Sequence, residues 1–237
     1  MSKTAFITGG TKGIGFGIAE SLLNEGWKVG ITGRSQQSVD EGLGNFAKKH
    51  KESVTGYVCD VRDLAQQESA VQQLVKKYGS LDLLVANAGL GHFAEIGEMT
   101  PEQWSETIDT NLTGVFNTIK SGLEPLEESK GLFITIASLA GTNFFPKGAA
   151  YCASKFGLVG FTQAVMLDLR QRDVRCSTIM PGSVATHFNG NVPDKKDAWK
   201  IQPEDIGAMV LHLTQLDSRT LPSKIEVRPS FPHKKNQ

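Results

Sequence analysis

The chain lacks any charge imbalance: 25 acidic residues face 25 basic ones among its 237, with five histidines besides. A zero balance gives no long-range pull toward nucleic acid or an anionic membrane surface, so neither is expected as a partner. There is no apolar run long enough to span a bilayer. Met1-Ser2-Lys3 leads straight into a strand-like pattern, without the hydrophobic stretch of a signal peptide. Cysteine is scarce, and Cys59, Cys152 and Cys176 fall inside predicted elements rather than at framework spacings. That excludes a disulfide scaffold and points to free buried thiols in a reducing cytoplasm. The histidines are scattered without ligand spacing, so no metal site is expected. Low-complexity tracts, repeats and linker-like breaks are missing too. What remains is 39% hydrophobic and 21% charged, ordinary for a chain that buries a sizeable core.

Strand-like and helical runs alternate along that chain. Strands are predicted at 5–7, 28–32, 54–58, 83–85, 132–136, 174–180 and 225–227, the last before a Pro- and Lys-containing tail. Helices are predicted at 14–24, over a polar stretch to about 51, and at 64–78, 149–172 and 203–216. Thr100 and Pro101 signal the start of a further long helix. Its stripe of Trp104, Ile108, Leu112, Phe116, Ile119 and Leu123 keeps helical period. This β/α alternation, with near-continuous apolar strands, predicts one α/β domain over 1–237. Its form is a doubly wound, Rossmann-type parallel sheet of about seven strands, with helices on both faces.

Three groups of residues carry chemistry. Thr8-Gly9-Gly10-Thr11-Lys12-Gly13-Ile14-Gly15 lies between the first strand and the first helix, where a dinucleotide fingerprint belongs. Glycines there permit a tight turn and let a pyrophosphate approach the backbone at a helix N-terminus. The second strand ends in Gly33-Arg34-Ser35, where a carboxylate would bind the ribose 2′-hydroxyl of NAD. Arg34 and Lys12 instead offer two cations to a 2′-phosphate, which favours NADP. Third, Tyr151 and Lys155 are four residues apart, hence on one helix face, with Ser138 upstream. A cation beside a tyrosine hydroxyl is expected to lower its titration from the ordinary ~10 toward a value useful for acid–base catalysis.

With these residues the chain resembles the short-chain dehydrogenase/reductase family, single-domain type, most of all its 3-oxoacyl-(acyl carrier protein) reductase-like members. The motifs follow in family order: Thr8 to Gly15, Asp60, Asn87-Ala88-Gly89, Asn111, Ser138, Tyr151, Lys155 and Pro181-Gly182. The resemblance implies an oxidoreductase that interconverts a carbonyl and a secondary alcohol by hydride transfer. Tyr151 is then the general acid or base, and Ser138 polarises the carbonyl. Lys155 holds the nicotinamide ribose and lowers the Tyr151 pKa, and Asn111 holds a water that links Lys155 to solvent. Asp60 and Val61 contact the adenine, Asn87, Ala88 and Gly89 flank the cofactor, and Pro181, Gly182, Val184 and Thr186 close over its nicotinamide end.

The resemblance further implies a homodimer or homotetramer built on the long helices from Pro101 and Ala149. Arg228-Pro229 stands where the family has a Gly-Gly end, which argues against the tetramer. Only 20 residues (183–202) separate Gly182 from Pro203, a short lid that predicts an open pocket. His92-Phe93, Asn143-Phe144-Phe145 and His187-Phe188 follow strand ends and suggest an apolar or aromatic substrate. Two alternatives stay open here. One is reduction on an acyl carrier protein, for which Lys130, Arg170 and Arg172 are candidate docking cations. The other is a non-catalytic NADP-binding sensor on the same fold.

Overall fold

The computed structural model describes residues 2–231; Met1 and the Pro- and Lys-containing tail beyond Phe231 lie outside the described residues. In chain order the elements are β1 (Thr4–Ile7), α1 (Gly13–Asn24), β2 (Lys28–Gly33), α2 (Gln36–Asn45), β3 (Val54–Val58), α3 (Leu64–Tyr78) and β4 (Leu83–Ala86). There follow α4 (Pro101–Ile108), α5 (Gly114–Glu128), β5 (Leu132–Ile136), α6 (Ala149–Leu169), β6 (Arg175–Pro181), α7 (Pro203–Gln215) and β7 (Lys224–Val227). All seven strands are parallel, in the order β3-β2-β1-β4-β5-β6-β7. This is the doubly wound sheet that the β/α alternation predicts.

Successive side chains of a strand point to opposite faces, and the strands are apolar at both sets of positions. Ile7, Val29, Val85, Ile134 and Ile179 pack under α1 and α7, with Ile18, Leu22, Ile206 and Val210 opposite them. Phe6, Leu84, Phe133 and Cys176 face the other way, against Val71 and Leu74 of α3, Ile119 of α5 and Leu158 of α6. The order reverses between β1 and β4, so the loops after these two strands diverge and leave a crevice at their carboxyl ends.

The long helix from Pro101 is not continuous. It starts as expected, with Thr100 and Gln103 capping each other reciprocally and Pro101 in the first turn. It then widens into a π-helical turn, Asp109–Thr113, before resuming as α5. Its apolar stripe is split: Ile119 lines the core with Leu112 and Leu123 against it, whereas Trp104 and Phe116 are 42% and 45% exposed. Beside Val115, Ile119 and Leu126, the buried side also carries Thr107, Asn111, Gly114 and Thr118. Small and polar groups are needed there, because this surface clasps the loops of the crevice. Gln67 of α3 is wholly buried in that clasp and donates to the carbonyls of Val61 at 2.7 Å and Gly114 at 3.1 Å. Asn117 of α5 also donates to the Val61 carbonyl, at 3.1 Å.

On α6 the buried positions Ser154, Lys155, Leu158, Thr162 and Leu169 follow helical period, so a lysine occupies a core position. The Thr162 hydroxyl is 2.9 Å from that of Thr135, which in turn donates to Thr178 at 2.9 Å. This buried hydroxyl chain fixes α6 against β5 and β6 beneath the crevice.

Candidate active site

A cleft of about 900 Å³ runs along the carboxyl ends of the strands, from Asp60 past the glycine loop to Tyr151. Its floor is made by close backbone approach. Gly9 and Gly13 have φ of +64° and +58°, the left-handed region that favours glycine, and a Cβ on Gly9 would lie 2.9 Å from the Cα of Ala88. Asn87 braces the turn, its Nδ2 donating to the carbonyls of Thr8 at 2.9 Å and Gly9 at 3.0 Å. The Thr8 hydroxyl accepts from the backbone N–H of Asn87 and Ala88 at 3.0 and 3.2 Å, and the Thr32 hydroxyl accepts from Gly9 N–H at 3.2 Å. Helix α1 begins here without a side-chain cap and without an acidic residue in its first turn. Its amino-terminal N–H groups therefore suit an anion.

Thr11, Lys12, Ile14, Ala88 and Gly89 line the cleft, while Gly15 lies behind it, packed against the Asn87 amide. Thr186 stands across from Gly13 on the segment after β6, beside Pro181, Gly182 and Val184. That segment is held back by a bridge between Val184 and Ile201, with Ala185 N–H donating to the Ile201 carbonyl at 2.9 Å.

At the opposite end, Arg34 and Ser35 leave β2 exposed, with Ser35 capping α2 by accepting from Ser38 N–H at 3.2 Å. Asp60 and Val61 form the wall. The Asp60 carboxylate is held by Arg62, with a shortest contact of 2.6 Å, and this bond keeps its pKa below the usual carboxylate range. Asp40, the nearest acid after β2, lies on α2 and accepts from Gln36 at 2.8 Å.

Tyr151, Ser138 and Lys155 converge at the other end. Phe93 packs edge-on against the Tyr151 ring at 5.5 Å, and Phe188 lies 5.7 Å away on the segment after β6. Burial pushes the Tyr151 hydroxyl up from its ordinary value, while a hydrogen bond with Ser138 pulls it down. The net direction is upward, so burial prevails where a lowered value was expected. The Lys155 ammonium lies 5.8 Å from the ring centroid and donates to the Ile136 carbonyl at 3.0 Å. It is itself starved of water: burial lowers its pKa from 10.5 to about 8.

Asn111 spends its side-chain amide on protein partners. Its Oδ1 accepts from Leu90 N–H at 2.9 Å, and its Nδ2 donates to the Leu90 carbonyl at 2.8 Å and to Ser154 at 3.0 Å. The amide thus ties the loop after β4 to α6 rather than reaching into the cleft. A π-turn of this kind often marks a functional site, and here it turns Asn111 inward.

Of the three aromatic loops, Phe93, Phe145 and Phe188 gather about Tyr151, with Phe93 and Phe145 5.9 Å apart, while Phe144 is 86% exposed. His92 is bound to Glu106 at 2.8 Å. Sequence reasoning did not single out Glu106, Thr32, Ser154 or Lys200. Lys200 and Glu106 line the cleft only because the strand order brings their segments to it.

Comparison with known proteins agrees with this geometry. The family described as short chain dehydrogenase matches residues 3–197. A sepiapterin reductase of Chlorobaculum tepidum is 31% identical over 237 residues, covering 97% of each protein. A 3-oxoacyl-(acyl-carrier-protein) reductase of Chlamydia muridarum is 30% identical, covering 84% of this chain and 81% of that one. Among solved structures, an alcohol dehydrogenase of the archaeon Thermococcus sibiricus, complexed with 5-hydroxy-NADP, superimposes with a TM-score of 0.91 at 27% identity over all of both chains. A metagenomic short-chain oxidoreductase complexed with NADP gives 0.83 at 30% identity, covering 98% of this chain and 99% of that one. The chain belongs to the short-chain dehydrogenase family and is a carbonyl/alcohol oxidoreductase.

The buried ammonium generates a prediction about stability. A lysine whose pKa falls on folding costs stability while it is protonated, and the cost fades as pH rises from about 8 toward 10.5. At 1.36 kcal/mol per unit the cost approaches ~3 kcal/mol, less about 1 kcal/mol for the bond to Ile136. Lys155→Met keeps the volume, so thermal denaturation at pH 7 should find it about 1–3 kcal/mol more stable but inactive, with the gap closing near pH 10.5. A destabilised Met variant would show that the ammonium is a structural bond.

Proposed function

We propose that this protein is an NADP-dependent oxidoreductase that interconverts an apolar or aromatic ketone and its secondary alcohol, with Tyr151 as general acid and base. The observation that carries the reading is the meeting of Tyr151, Ser138 and the buried Lys155 ammonium at one end of a cleft floored by the glycine loop. The residues fit a dinucleotide: left-handed Gly9 and Gly13 in the loop, with Gly9 packed too close to Ala88 for a Cβ, an uncapped helix start, and the exposed cations Arg34 and Lys12 where a carboxylate would select NAD. The two neighbours solved with NADP or its hydroxy derivative support the same choice.

When bound, the reduced nicotinamide supplies hydride to the carbonyl carbon. The chain's own residues manage the negative charge that then develops on the carbonyl oxygen. Ser138 and Tyr151 direct hydroxyl groups at it, and Tyr151 gives up its proton. Lys155 keeps a positive charge beside the phenolate so formed, which offsets the burial that otherwise raises its pKa. Asp60, Val61 and the Asn87–Gly89 turn hold the far end of the cofactor, and Asn111 positions the loop against α6. Phe93 and Phe188 give the substrate side an apolar wall.

The carrier-protein reading loses its docking cations. Lys130, Arg170 and Arg172 precede β5 and β6, at the amino ends of the strands, away from the cleft. Lys130 is paired with Asp173 at 2.8 Å and Arg172 with Glu127. Three buried free thiols suit a reducing, cytoplasmic setting, and among the described residues no helix is long and apolar enough to cross a membrane. With the sensor alternative set aside by the family match, the decisive assay is Tyr151→Phe on a panel of ketones followed by NADPH absorbance. Turnover should fall by about a hundredfold or more while NADPH still binds. Wild-type-like turnover would remove Tyr151 from the mechanism.

The outward stripe supports self-association. Trp104 and Phe116 are exposed, and Phe156 and Leu167 of α6, which packs against α4, are likewise 44% and 52% exposed. Apolar surface of this extent marks an interface, and a homodimer through α4, α5 and α6 would cover it. Light scattering at micromolar concentration should give at least twice the mass of one chain, and Trp104→Glu should halve it. A monomer in the unmodified protein would exclude the assembly.

A further inference from the structure

One carboxylate in the cleft has no part in the chemistry above. Glu106 projects from α4 into the cleft wall, opposite the end of β2. Its Oε2 is 2.8 Å from Nε2 of His92, in the loop after β4, and its Oε1 is 3.8 Å from Nη1 of Arg34. The contacts link the rim of β2 to the rim of β4 across the groove. Arg62, anchored on Asp60, adds positive potential nearby. These groups hold the Glu106 carboxyl below its usual range, the bond from His92 foremost, so it is an anion at neutral pH. Arg34 keeps a side chain 68% exposed, so its guanidinium is free to change partner.

We propose that Glu106 sets cofactor selectivity by acting as an internal anion for Arg34, which a 2′-phosphate must displace. The proposal rests on reading Arg34 as the phosphate's partner. A guanidinium that already faces a carboxylate gives a phosphate only the difference between two ion pairs. A cofactor without the phosphate leaves the pair intact and loses nothing. Glu106 therefore weakens NADPH binding and leaves NADH binding nearly untouched, narrowing a preference that Arg34 and Lys12 create. His92 acts through Glu106, holding the carboxylate toward the groove.

The experiment is a double-mutant cycle. Dissociation constants for NADPH and NADH are measured by fluorescence titration on the wild type, Glu106→Gln, Arg34→Ala and the double variant. Glu106→Gln is isosteric and on a partly exposed helix face, and its melting temperature should match the wild type. It should bind NADPH about two- to fivefold more tightly, the scale of a partly exposed ion pair, with NADH unchanged. In the Arg34→Ala background the gain should vanish. Unchanged or weaker NADPH binding by Glu106→Gln overturns the proposal, as does an equal gain without Arg34. If Arg34→Ala leaves NADPH affinity untouched, the reading of Arg34 as phosphate partner fails first and takes the proposal with it. A loss on Arg34→Ala with no effect of Glu106→Gln overturns the proposal alone.

Discussion

A positive charge sits where α6 would ordinarily place an apolar side chain. Lys155 lies between Ser154 and Leu158 on the buried stripe of the helix, and the Ile136 carbonyl is the acceptor its ammonium donates to. Taking an ammonium out of water is costly, and its lowered pKa records that cost. The surrounding structure holds it there. The Thr135, Thr162 and Thr178 hydroxyls lock α6 onto β5 and β6, and Asn111 clamps Ser154, the neighbour of Lys155, to the loop after β4. Without these ties α6 would be free to shift and water would reach the ammonium.

The sheet topology supplies the second half of the arrangement. Because the strand order reverses between β1 and β4, the glycine loop and the Asn87–Gly89 turn face one crevice and brace each other through Thr8 and Asn87. The same crevice ends at Ser138 and Tyr151 on one side and at Arg34 and Asp60 on the other. Charge is divided accordingly. The end near β2 is open and ionic, with Arg62 paired to Asp60 and Arg34 facing Glu106, whereas the Tyr151 end is aromatic. Hydride and proton transfer belong in the second environment, where fixed dipoles are little screened, and recognition of a charged phosphate belongs in the first.

Much of this was legible in the sequence. Strands buried on both faces show as unbroken apolar runs, and tight turns beside a helix start show as glycines, so the sheet, the phosphate loop and the Ser138, Tyr151 and Lys155 group could be read in one dimension. Relations between distant segments could not. The stripe from Trp104 to Leu123 keeps helical period, yet periodicity says that a face is apolar, not what covers it. The π-turn at Asp109–Thr113 has no local signature. Nearness of Lys155 in sequence suggested a lowered Tyr151 pKa, but burial acts the other way and depends on Phe93 and Phe188, brought in by two other loops. Lys130, Arg170 and Arg172 are candidate docking cations in sequence, and only the topology puts them at the far ends of the strands. Glu106 gave no signal at all, being one more charge on a helix until α4 lies opposite β2.

The central claim is that a protonated, desolvated Lys155 sustains proton delivery by Tyr151, and the pH dependence of kcat/KM for ketone reduction at saturating NADPH tests it most directly. With the Lys155 pKa lowered to about 8, the account predicts a plateau near neutrality. Above about pH 8 the value should fall, approaching tenfold per unit as the ammonium loses its proton. A value that stays constant to about pH 9.5 would contradict the account, for catalysis would then be indifferent to the charge around which the site is built.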